Sequence, residues 1–305
     1  MRKGWIGLMV ALGLAGGPAS AEVLPVSGIY PANADAAAPV RQLVLSRFGG
    51  RDGEAVSFAI EDALRSVAIN GTAWFDVYAD AGPGDATLRG FANLESTTAK
   101  VTRKQDVCLE KDDDGNCARK GKEDVECLQQ TYYLVPEARL TARDGRTLYA
   151  LDYNRDTVIT VTCPKDKEPP RRRGDIVREL ARKVAKAVRR DLAPTQRSDE
   201  VRVLEKRTGL SSADGDRFKQ ALRLSKSDSA GACRTWREIA AANPAHPASL
   251  FNAALCSEFE GRDQAARDQY LGLLRLANVA EAKDRLSQID ARARAGRQLA
   301  AHAAR

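Results

Sequence analysis

With 305 residues, 43% of them hydrophobic, the chain is long enough to bury two separate cores. Its formal charge is +7 and it holds only two histidines, His246 and His302, which all but excludes a histidine-based catalytic triad or dyad. Six cysteines, an even number, point to an oxidising compartment and three disulfides.

The first 21 residues read as a cleaved secretory leader. Arg2 and Lys3 precede an apolar run from Trp5 to Leu14, and Ala19-Ser20-Ala21 supplies the small residues a signal peptidase needs. No cysteine follows the run, so no lipid attachment is expected, and the chain after Ala21 is expected to be exported, to a bacterial periplasm. Residues 22–194 read as one α/β domain. It opens with a possible strand over Val23–Ile29, then a strand over Gln42–Phe48 and a helix over Glu54–Ala68 closed by Asn70-Gly71. Another strand over Trp74–Ala79 follows, and Ala81–Gly84 turns the chain.

Long strands come next, over Ala86–Cys108, Val125–Thr141 and Thr147–Cys163, with Asp114-Gly115 and Asp144-Gly145 as hairpin signals. Paired residue numbers in an antiparallel hairpin sum to a constant. Cys108 with Cys117 centres on Asp112-Asp113, and Cys127 with Cys163 centres on Gly145, so both pairs straddle an expected turn. Those pairings are therefore expected to be disulfides. Zinc is disfavoured because no Cys-x-x-Cys occurs and neither histidine is spaced with a cysteine.

Between Lys165 and Arg207 there are 15 Lys or Arg against 8 Asp or Glu. Arg171, Arg172 and Arg173 lead into a helix whose apolar residues Ile176, Leu180, Val184, Val188 and Leu192 step by four, while Arg182, Lys186 and Arg189 lie off that stripe. The stripe is expected to cover a sheet face, and Pro194 ends the helix. Residues 195–211 read as a linker with possible short helix. Helices are then expected over Phe218–Leu224, Ala232–Ala242, Pro247–Glu260, Asp263–Leu276 and Ala280–Ala301, the last as a cap.

Two of these helices repeat one pattern. Ala232, Trp236 and Ile239 recur 34 residues later as Ala266, Tyr270 and Leu273, a small residue admitting a neighbouring helix and two large ones filling the gap. Cys233 and Cys256 lie at nearly equal distances, ten and nine residues, from the ends of the Asn243–Pro247 connection, which puts them at similar height on consecutive helices and makes them the third expected disulfide. The 34-residue pattern over residues 212–280 resembles the tetratricopeptide family, except that Gln220 stands where a small residue is expected opposite Ala254. That resemblance implies a surface for holding a partner. Its candidate contacts are Arg217, Lys219, Asn252 and Ser257, with the Asn252 amide able to pair both polar groups of a peptide unit.

Across residues 23–194 the order strand, helix, strand, three long strands and basic helix resembles the periplasmic domain of CsgG-like secretion channels, peptidoglycan-synthase activator lipoproteins and the amino-terminal domain of TolB. The resemblance rests on Gln42–Gly50, Ala55–Gly71 before Trp74-Phe75-Asp76-Val77, and Ala86-Thr87-Leu88-Arg89-Gly90. The disulfide-tied hairpins and the missing lipidated cysteine depart from it. The fold class expected is α+β, a mixed or antiparallel sheet with packed helices, followed over 212–305 by an all-α helical array.

No phosphate loop, nucleophile elbow or zinc-protease motif occurs, and Asp112-Asp113-Asp114-Gly115-Asn116 lacks the spaced ligands of a calcium loop. The chain is therefore read as a non-enzyme with no cofactor and no metal. Its expected partner is a protein or peptide of the cell envelope, with anionic lipid, lipopolysaccharide or glycan on the basic helix as the alternative. Nucleic acid is not expected.

Overall fold

The computed structural model describes residues 22–153, 156–164, 166 and 169–304. The expected leader over 1–21 lies outside them. The chain divides into two compact units. One comprises Gly28–Arg197 together with the described residues from Asp290 on; the other comprises Ser198–Ile289 together with the described residues up to Ser27. This division is not the linear one expected from the sequence, because both ends of the chain join the unit distant from them in sequence.

In the α/β unit the chain forms β2 (Gln42–Leu45), α1 (Gly53–Arg65), a small hairpin of β3 (Ala68–Ile69) and β4 (Thr72–Ala73), and β5 (Asp76–Ala79). It continues through β6 (Ala86–Lys111), β7 (Cys117–Ala142), β8 (Thr147–Ala150), β9 (Thr157–Thr162) and α2 (Arg173–Leu192). The sheet order is β5-β2-β6-β7-β8, with β9 also pairing β7. Strands β5, β2 and β6 are parallel and the rest antiparallel, so the sheet is mixed.

Helix α1 buries Val56, Ile60 and Leu64, and α2 buries Ile176, Leu180, Val184, Val188 and Leu192 in the same core as Leu43, Leu45, Leu88 and Leu140 of the sheet. A period of four along each helix produces these stripes. The helix starts are tied by Asp52, a buried carboxylate that accepts two bonds from Arg173 at 2.7 Å and one from the Leu94 amide at 2.7 Å. Burial raises its pKa, but Arg173 and the Leu94 N–H more than offset this and hold it below the ordinary aspartate value. Asn70 and Gly71 both have positive φ, 51° and 79°, and form the turn of the β3–β4 hairpin rather than the close of α1.

Strands β6 and β7 make an arm of 26 residues each. Ala86 faces Ala142 and Cys108 faces Lys120, so the turn is centred on Asp114, not on Asp112-Asp113. The expected centre assumed that Cys108 faces Cys117, but the two are not facing residues; their disulfide, with Cα atoms 5.5 Å apart, spans the irregular stretch between Cys108, Glu110 and Lys111. Leu128 faces Thr162 on β9, and the next pair in that register is the disulfide Cys127–Cys163. The single strand expected over Thr147–Cys163 is two, because β8 and β9 meet β7 in registers one residue apart, Leu140 facing Tyr149 but Gln130 facing Thr160.

The C-terminal residues pack on this unit. Gln298 accepts from the Ala32 amide at 2.8 Å and donates to its carbonyl at 2.9 Å, and the His302 ring stacks on Trp74 at 3.7 Å.

The other unit is built from α3 (Ser212–Leu224), α4 (Ser229–Ala242), α5 (Pro247–Phe259), α6 (Asp263–Leu276) and the first part of α7 (Ala280–Ala303). Along α3 to α6 each helix packs on the next. Leu24 and Val26 of β1 (Val23–Tyr30) and Val203 enter its core. The expected linker contains a strand, β10 (Thr195–Arg202), paired with β1. Cys233 and Cys256 are bonded between α4 and α5, Cα atoms 5.5 Å apart. Among the described residues no helix is long and apolar enough to cross a membrane. All six cysteines are in disulfides, which fits an exported chain.

Candidate binding surfaces

Six residues selected by the 34-residue recurrence, Ala232, Trp236, Ile239, Ala266, Tyr270 and Leu273, are at most 1% exposed and share one core. The helices that precede them, α3 and α5, repeat with a different spacing. Phe218, Ala221 and Leu222 of α3 match Phe251, Ala254 and Leu255 of α5 at 33 residues, and all six are buried. Ala221, not Gln220, is thus the small residue corresponding to Ala254, and Gln220 is exposed.

Asn252 and Ser257 are not available to a partner, since both are fully buried. The Asn252 carboxamide accepts from the Leu204 amide at 2.8 Å and donates to the Leu204 carbonyl at 2.9 Å. It reads both polar groups of one peptide residue, as its chemistry allows, but that residue belongs to the same chain. Ser257 donates to the Ala253 carbonyl one helical turn back, at 3.5 Å. Arg217 is exposed and ion-paired with Asp214 and Glu238, whereas Lys219 is exposed without a partner among the described residues. These four residues do not converge on one site.

His246 is 6% exposed and caps α5. Its Nδ1 accepts from the Ser249 amide at 3.2 Å, satisfying a donor that the first helical turn leaves unpaired. Burial lowers its pKa below the ordinary histidine value.

An open groove of about 610 Å³ runs between α4, α5 and α6. Ala240, Ala241, Leu250 and Ala253 line it together with Leu276, which is 60% exposed. Arg237 at its edge is ion-paired with Glu260 at 2.6 Å. This surface was missed in the sequence because Leu276 ends α6, where a terminal leucine is indistinguishable from one covered by the next helix.

The basic residues fall into two sets. Arg173 is committed to Asp52 and Arg171 to Glu179 at 2.8 Å, so the Arg171–Arg173 loop is largely neutralised. Arg172, next to them, is exposed. Arg182, Lys186 and Arg189 form one wall of a groove of about 950 Å³ between α1 and α2. The opposite wall carries Glu54, Asp62 and Phe58, the last 50% exposed. Phe58 lies two residues from both Val56 and Ile60, which on a helix puts it nearly opposite the buried stripe.

No protein-family model matches the chain, and no curated protein matches it. The surfaces themselves therefore carry the functional reading.

Proposed function

We propose that the protein is an exported, non-catalytic adaptor of the cell envelope, pairing an α/β domain of the CsgG/TolB-N-like kind with tetratricopeptide-like repeats that hold a protein or peptide partner. The groove between α4, α5 and α6 carries this reading. It is open, most of its lining is apolar, and the exposed Leu276 joins Ala240, Ala241, Leu250 and Ala253 in one apolar patch rather than standing alone. Such a groove fits an apolar side chain on a partner segment. The hold of Asn252 on Leu204 adds support, because it places an extended stretch of chain against a helix of this array.

Binding of anionic lipid, lipopolysaccharide or glycan by the basic helix is the second reading, favoured by Arg182, Lys186 and Arg189, none of which has a carboxylate partner among the described residues. Pairing of Arg171 and Arg173 with acidic residues weakens it.

A photo-cross-linking residue at position 276 of the full chain, activated in intact cell envelopes, tests the first reading. It should give one discrete protein adduct that Ala253→Arg abolishes. Absence of any protein adduct, with salt-sensitive sedimentation on anionic vesicles, would replace it with the second.

A further inference from the structure

We propose that the face formed by α1 and α2 is a two-fold interface that takes a second copy of this chain. The two helices begin side by side, held by the Asp52–Arg173 pair, and the groove of about 950 Å³ between them has walls of opposite sign. Glu54 and Asp62 stand on α1; Arg182, Lys186 and Arg189 stand on α2. Among the described residues, Asp62, Lys186 and Arg189 have no ion-pair partner, Arg182 donates only to the Arg178 carbonyl at 3.3 Å, and Glu54 has a single distant pairing with Arg47 at 3.8 Å. Phe58 rises from the acidic wall, half exposed.

A face with one acidic and one basic wall is complementary to itself. When a two-fold axis runs along the groove, α1 of each copy lies over α2 of the other, so every acidic wall meets a basic one and the two Phe58 rings are removed from water. Other occupants satisfy only half of the face. An anionic membrane or an acidic helix neutralises α2 but brings like charge against Glu54 and Asp62, which costs free energy where the contact is desolvated.

Sedimentation velocity on the full disulfide-bonded chain tests the proposal. The wild type should sediment as a dimer, more tightly at low salt than at high salt. Glu54→Lys with Asp62→Lys makes both walls basic, and Arg182→Glu with Lys186→Glu and Arg189→Glu makes both acidic. Each variant should raise the dimer dissociation constant at least about tenfold, because like charges then face each other twice. Mixing the two variants should restore a dimer, because the basic α1 of one meets the acidic α2 of the other and the remaining pair of walls is unchanged. A single chain carrying all five substitutions should also dimerise. A wild type that stays monomeric at about 100 μM overturns the proposal, whether or not it sediments with anionic vesicles. So do variants that remain dimeric, and so does a mixture of variants with wild-type melting temperatures that stays monomeric.

Discussion

Asn252 and Leu204 are joined by a reciprocal pair of hydrogen bonds, 2.8 Å from the backbone amide and 2.9 Å to the backbone carbonyl, across 48 residues of chain. The side chain is fully buried on α5. Asn252→Ala should destabilise the helical unit by about 1–3 kcal/mol, since it removes two bonds and strands the backbone groups of Leu204. Asn252→Asp keeps the acceptor, loses the donor and buries a charge, so it should cost at least as much. Thermal unfolding checks both, and an unchanged melting temperature for the alanine variant would rule out a structural role for the pair.

Glu258 is fully buried and receives bonds from Arg285 and from the Tyr270 hydroxyl. Arg285→Ala should cost about 3–5 kcal/mol, because it leaves a carboxylate buried without its cation. Replacing both partners, as Glu258→Leu with Arg285→Leu, should recover much of that loss. Denaturant titration of the two variants checks the order; a double variant less stable than the single one would mean that the pair itself contributes net stability.

The disulfides should differ in weight. Cys233–Cys256 closes 23 residues within a fully buried core, and Cys108–Cys117 closes nine at the exposed end of the arm. Chain-entropy arguments give about 3 kcal/mol for either loop, with little difference between them. Location then decides the outcome. Cys233→Ser with Cys256→Ser should lower the melting temperature of the helical unit, whereas Cys108→Ser with Cys117→Ser should leave melting unchanged and only speed amide exchange near the tip, read by mass spectrometry.

Both histidines make stability fall in mild acid. His246 and His302 have pKa values lowered mainly by burial. The unfolded chain therefore binds their protons at higher pH than the folded chain does. Their stability contribution is fully present above the unfolded value of about 6.5 and declines as pH falls from there toward the lowered folded values. Asp52, whose folded pKa is also lowered, adds a separate loss only below about pH 4. Unfolding free energy measured from pH 8 to pH 4 should show the first decline. His302→Phe, which keeps a ring against Trp74, should shrink it.

Much of this architecture was legible because the deciding residues were regular. Five aliphatics at intervals of four announced α2, and register arithmetic reached both hairpin disulfides, although Cys108 faces Lys120 rather than Cys117 and the tip lies at Asp114. The candidate site was less legible. Helix α5 has ten of its 13 residues buried, so most of its surface is closed to a partner, and a polar Asn252 in its sequence signals an internal bond as readily as a contact. Strand β10, with the sequence Thr-Gln-Arg-Ser-Asp-Glu-Val-Arg, carries no alternation of its own; its pairing with β1 makes it a strand.

The order of the three disulfides bears on how the chain is oxidised. Six cysteines allow 15 complete pairings, yet here the first joins the second, the third the fourth and the fifth the sixth. No loop encloses another and none interlocks. A chain entering an oxidising compartment amino end first therefore reaches its native connectivity if each cysteine reacts with the next to arrive. Simple vectorial oxidation suffices, and disulfide shuffling is needed only to repair errors.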